Sequence, residues 1–170
     1  LGIQATSWDE IASRANVGVG TVYRHFRSLD ELLPACGALV TETLALPAED
    51  EIPGLFDGAR SFRERIRRIV TRIFAAYEEG APFIENIRRE REDLPNLEPW
   101  HQWIENTLDA LSHEALRPIN PDKRALDLTR ALTDLYTWKA FKHRGLSQQE
   151  TIETVTRLIA SAVANSTKHT

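Results

Sequence analysis

Apolar residues recur at helical spacing along most of this chain, and no segment alternates as a strand would. Behind Ser7, the apolar positions Ile11, Ala12 and Ala15 fall on one face, and Val22 and Phe26 stand one turn apart. Further on the stripes widen. They run Phe62, Ile66, Ile69, Val70, Ile73 and Tyr77, then Leu97, Trp100, Ile104, Leu108 and Leu111. Two more follow, Leu128, Leu132 and Leu135, then Ile152, Val155, Ile159 and Ala162. The pattern predicts helices over 7–15, 19–26, 28–45, 61–79, 82–93, 97–116, 122–144 and 148–165, and an all-α fold.

Start and stop signals set these bounds. Ser-x-x-Glu occurs at Ser7/Glu10, Ser28/Glu31, Ser61/Glu64 and Ser147/Glu150, each ahead of an apolar stripe. Pro82 after Gly80, Asn96 ahead of Pro99, and Asn120 followed by Pro121 read as three further starts. Pro47, Gly80, Pro95, Pro118 and Gly145 read as stops. Residues 47–60 hold two Pro, two Gly and several acids and read as a long mobile loop. Pro34 lies inside the third helix, where it removes a hydrogen bond and should bend the axis.

Composition narrows the class. With 170 residues, 42% hydrophobic and 27% charged, the chain can bury a sizeable core. No apolar run approaches 18 residues and the N-terminus is not signal-like, so a cytoplasmic protein with no membrane segment is expected. The single Cys36 has no disulfide partner within the chain and reads as a small core residue. Met is absent and Leu1 opens in mid-pattern, so residues ahead of Leu1 are expected. Catalytic patterns are missing. Glu98-x-x-His101 is a single Glu-x-x-His where a di-iron bundle needs two, and the five His show no zinc spacing. Neither a Gly-rich phosphate loop nor a nucleophile elbow occurs. No enzyme activity, metal or cofactor is expected.

The sharpest pattern is Ser7 to Phe26, SWDEIASRANVGVGTVYRHF, which reads as two short helices joined by a tight turn. Asn16 suits a left-handed helix end, and Val17 would plug the turn. Gly18 and Gly20 keep the start of the second helix thin. With Val22 and Phe26 facing inward, Val19, Thr21, Tyr23, Arg24 and His25 project outward. Thr and Tyr can bond phosphate, Arg can bond phosphate or guanine, and the helix start at Ser7 suits a phosphate. An ordinary helical hairpin with a solvated polar face fits the same periodicity. The net charge of −4 and pI near 5.8 do not favour nucleic acid, although a small reading face can sit on an acidic body.

Ser7 to Leu33 resembles the N-terminal domain of TetR-family transcriptional regulators. The residues carrying the resemblance are Ser7, Ile11-Ala12, Asn16-Val17, Gly20-Thr21-Val22-Tyr23-Arg24-His25-Phe26, Ser28 and Leu32-Leu33. It implies phosphate contacts from Ser7, Thr21, Tyr23 and His25, and groove contacts from Gly18, Val19, Gly20, Thr21 and Arg24. It also implies that the first helix of that domain precedes Leu1. Two departures stand out: Val19 and Leu29 occupy places where many members carry Lys, and each loss removes a phosphate-pairing charge. The domains implied are a helix-turn-helix DNA-binding domain with its connecting helix over 1–46, and a ligand-binding and dimerisation bundle over 47–170.

In the bundle, Phe74, Tyr77, Phe83, Trp100, Trp103, Tyr136, Trp138 and Phe141 exceed what a minimal core needs. By resemblance they are candidate lining for an effector pocket, and packing against one another is the plainer account. The helices 122–144 and 148–165 are expected to pair with a second copy. Arg60, Arg63, Arg65, Arg67, Arg68, Arg72, Arg88, Arg89 and Arg91 read mainly as an acid-paired solvated face. The expectation is a homodimeric regulator, a repressor in the family's manner, that binds a duplex operator and leaves it when a partly aromatic small molecule tilts the helix 28–45. Pro34 would serve as part of that hinge. Two alternatives stay open: a helical ligand-binding protein without DNA binding, and a helical enzyme or scaffold with an incidental helix-turn-helix.

Overall fold

The computed structural model describes residues 2–166, and among them every regular element is helical. Eight α-helices follow in order: α1 Trp8–Ala15, α2 Val19–His25, α3 Leu29–Leu44, α4 Phe62–Glu90, α5 Glu98–Leu116, α6 Lys123–Leu132, α7 Leu135–His143 and α8 Gln148–Ser166. The start signals act through the bonds expected of them. Ser7, Ser61 and Ser147 each accept from the amide three residues on, at 3.2, 3.1 and 3.3 Å. At Ser147 the Glu150 carboxylate also returns to the cap's own N–H at 2.9 Å. Glu31 and Glu64 instead accept from the residue before the Ser, the N–H of Arg27 at 2.8 Å and of Arg60 at 2.9 Å.

Three boundaries depart from the sequence reading. Gly80 and Pro82 neither end nor start a helix, because α4 runs through both. Its inward face is buried on either side of them at Ile73, Tyr77, Ala81, Ile84 and Ile87, and that packing outweighs the single hydrogen bond Pro82 forfeits. Conversely, the helix expected over 122–144 is two. Asp134 caps α7 by accepting from the Tyr136 amide at 2.8 Å, and Thr133 turns its own amide back to Thr129. Asn120 does not start α6: it sits left-handed at φ 50 and closes the 3-10 turn Arg117–Ile119, while Asp122 caps α6 through the Ala125 amide at 2.8 Å.

Packing divides the chain into two compact units, one of residues 1–43 with 80–103, the other of 44–79 with 104 onward. This differs from a boundary at 46/47, since residues 80–103 join the N-terminal helices. In the first unit, Ala12, Val22, Leu33, Val40, Ala81, Ile84, Ile87 and Leu97 are buried. In the second, Ile66, Ile69, Val70, Ile73, Phe74, Leu111, Leu135, Val155 and Ile159 are fully enclosed.

The segment 47–60 is packed, against the expectation of a mobile loop. It forms two 3-10 turns, Glu49–Glu51 and Pro53–Phe56, with Ile52 and Phe56 buried. Arg68 donates to the Leu55 and Asp57 carbonyls at 2.8 and 2.9 Å, and the Arg65 guanidinium lies 4.1 Å from the centre of the Phe56 ring. Much of the Arg crowding on α4 is thus structural: Arg65 also pairs with Glu114 at 3.0 Å, and Arg72 donates to the Ala45 carbonyl.

Candidate nucleic-acid interface

The two helices of the reader are held by local chemistry. Asn16 ends α1 in the left-handed region at φ 54, ψ 44, and its amide bonds back to the α1 carbonyls of Ala12 and Ser13. Gly18 precedes α2 in extended conformation without a side-chain cap. Ala12 and Val22 are buried and Ile11 and Phe26 half-buried, so α1 and α2 meet along the face the periodicity marks. Two details differ. Ala15 lies on the exposed side, and Val17 stands 43% exposed and does not plug the turn.

The opposite face is open. Ser7, Gly18, Val19, Gly20, Tyr23, Arg24 and His25 are exposed and Thr21 is half-buried, so the eight expected contact residues are each accessible from outside the protein. The Arg24 guanidinium donates to Thr21 Oγ1 at 2.9 Å, which draws two of the expected contact side chains together one turn apart. Neither Gly18 nor Gly20 takes a positive φ, and a Cβ at either would meet no atom within 4 Å. Both positions are open space on the surface, so no packing among the described residues fixes their small size.

One residue of this segment escaped the sequence pattern. Trp8, the first residue of α1, packs its ring on Tyr23 with centroids 5.4 Å apart and planes at 36°. Its place three residues before Ile11 was the available signal, since i and i+3 share a face. Charge on this surface is modest: Arg14 is tied to Glu10 at 2.9 Å, and Arg24 and Arg27 are the other arginines of this segment.

The eight aromatics picked for a pocket do not form one cluster. Phe74, Tyr77 and Trp138 are buried in the second unit and pack on one another, with centroids 6.1 and 5.8 Å apart along the series. Tyr136 is 58% exposed, and Phe141 is half-buried. Phe83 and Trp100 line a cavity of about 280 Å³ in the first unit, with Ile11, Leu32, Val40 and Leu97. Trp103 is half-buried outside that lining. Cys36, expected in the core, is instead exposed at the cavity edge, where partial desolvation pushes its thiol up and so disfavours the reactive thiolate. Residues 2–6 form a turn, with the Thr6 amide on the Ile3 carbonyl at 3.2 Å. The Gln4 amide donates to Glu90 at 2.9 Å. No metal-ligating group of three His, Cys, Asp or Glu occurs among the described residues, and no helix there is long and apolar enough to cross a membrane.

Comparison with known proteins points the same way as this surface. The family model described as bacterial regulatory proteins, tetR family, matches residues 2–36. A curated protein of Haemophilus influenzae, named as an uncharacterized HTH-type transcriptional regulator, is 29% identical over 115 residues, 67% of this chain. The chain spans 59% of that relative's length. No solved structure matches the chain significantly.

Proposed function

We propose that this chain is a DNA-binding transcriptional regulator of the TetR family that acts as a homodimer; the tetR family model over residues 2–36 and the HTH-type relative support the reading. The observation that carries the reading is the open face of α2. It presents Tyr23, Arg24 and His25 beside the capped start of α1, over two glycines that no internal contact requires. Tyr23, His25 and Ser7 are assigned to phosphates, and Arg24 with Gly18, Val19, Gly20 and Thr21 to the groove. One such helix reads only a few base pairs, so a two-fold pair with half-sites about one helical turn, 34–36 Å, or a multiple apart supplies the specificity. The dimer is assigned to α6, α7 and α8, where Tyr136 and Leu158 leave apolar surface exposed.

Repression relieved by a small effector is the mode we infer. The cavity lined by Phe83 and Trp100 abuts α3 through Leu32, Leu33 and Val40, so an apolar molecule there would act directly on the helix that follows the reader. A coupling of about 1–3 kcal/mol is enough for such a switch.

The test is a selection from random duplex DNA with the full chain. A palindromic site is expected, bound by two copies, and lost on combining Tyr23→Ala with Arg24→Ala. No enriched sequence, or binding indifferent to that pair, sinks the reading.

A further inference from the structure

We propose that Trp8 is a positioning residue for DNA binding, acting through Tyr23. The inference rests on the DNA-binding reading above and adds to it a residue outside the recognition helix. Tyr23 is 49% exposed, on a helix of only seven residues whose other side is anchored at Val22. An exposed tyrosine ring of this kind samples several rotamers, and fixing one on binding costs affinity. Trp8 limits that sampling beforehand. Its ring lies against Tyr23 at a 5.4 Å centroid separation and a 36° tilt, within the range of favourable aromatic pairs.

The support is itself well held. Trp8 is the first residue of α1, immediately after Ser7, whose side chain fixes that helix start by accepting from Glu10. Asp9 and Glu10 occupy the same turn, so this end of α1 carries no cation of its own to hold phosphate. A large ring there makes its contribution through what it touches. The Arg24–Thr21 bond orders the neighbouring reading side chains in the same way, so α2 presents a face with three of its polar groups already constrained.

The experiment is a double-mutant cycle on the full chain, with the duplex that the wild-type protein enriches from a random pool as probe. Trp8→Ala should weaken binding about fivefold for each recognition helix engaged. In a Tyr23→Ala background the same change should have no further effect. Trp8→Phe, which keeps a ring, should restore affinity to within about twofold. Trp8→Leu keeps apolar volume without the ring and should behave like Trp8→Ala while melting near the wild type, which covers the case in which the alanine variant does not fold. Equal losses from Trp8→Ala with and without Tyr23, or wild-type affinity in Trp8→Leu, overturn the proposal and leave the DNA-binding reading standing. Failure of the wild-type chain to enrich any duplex overturns both.

Discussion

Gly37 on α3 faces the ring of Trp100 so closely that a Cβ on the glycine would lie 2.0 Å from Trp100 Cζ2. The next two ring atoms would stand at 2.2 and 2.7 Å. Gly37 is therefore fixed by packing, on a helix where alanine would otherwise be preferred by about 1 kcal/mol. The Trp100 indole, from the first turn of α5, lies on the α3 backbone at this point, and Leu33 and Val40 are buried on the turns on either side.

Gly37→Ala should therefore destabilise the protein, by about 1–3 kcal/mol, because a whole indole must move and not a flexible tip. Adding Trp100→Leu should recover much of that loss. Denaturant unfolding of the two single variants and the double gives the coupling. Simple additivity would mean that the two residues do not meet.

Glu90 ties residues 2–6 to α4. It accepts from the Gln4 amide at 2.9 Å and pairs with Arg89 at 2.8 Å, and only 7% of its surface is exposed. Burial works to raise its pKa, but the donors from Arg89 and from the Gln4 and Ile3 amides outweigh it and hold the carboxyl below its ordinary value. A lowered folded pKa stabilises wherever the carboxylate is charged. That contribution is complete above the unfolded carboxylate value of about 4.3 and disappears as pH falls through the lower folded value. Glu90→Gln should cost about 1–3 kcal/mol at neutral pH. It should also speed hydrogen exchange at Gln4, and the gap from wild type should close in acid. A gap independent of pH would show that the charge does not matter there.

The caps and the turn of the reader were legible in the sequence because they are local. Ser7, Asn16 and Gly18 each act within three or four residues, and the structure adds nothing to their identity. The continuity of α4 was not. Gly80 and Pro82 carry a strong local signal for a break, and what overrules it is the burial of Tyr77, Ala81 and Ile84 on either side of them. The break between α6 and α7 was hidden for the opposite reason: Leu132 and Leu135 keep the stripe going while Asp134 quietly supplies a cap. The aromatics divided because periodicity shows which face a residue takes but not which unit encloses it.

That same break sets a test in the second unit. Tyr77 donates its hydroxyl to the Thr133 carbonyl at 3.0 Å in a buried setting, and its ring packs between Phe74 and Trp138. Tyr77→Phe should keep the ring contacts and strand the carbonyl, costing about 1–3 kcal/mol. Tyr77→Ala should cost more, about 3–5 kcal/mol, since a cavity is added. If thermal unfolding ranks the phenylalanine variant with wild type, the end of α6 does not depend on this bond.

Gly20 separates what the fold needs from what a bound duplex needs. It lies inside α2 with an ordinary helical φ, and the position of its missing Cβ is empty to 4 Å. Alanine there removes backbone entropy from the unfolded chain and adds no clash, so Gly20→Ala should raise stability by up to about 1 kcal/mol. Against DNA the sign reverses. A methyl group on the surface that approaches the groove forces the helix outward, and an overpacking cost of about 1–3 kcal/mol corresponds to roughly a fivefold to hundredfold loss of affinity. Gly54→Ala is the control, because its Cβ position is equally empty but lies in the 3-10 turn of the second unit. It should leave duplex affinity unchanged. A Gly20→Ala protein that melts higher and binds the selected duplex as well as wild type would place the DNA surface elsewhere than on α2. A protein that melts higher and binds worse ties the empty space above Gly20 to the duplex, since no contact inside the protein was there to lose.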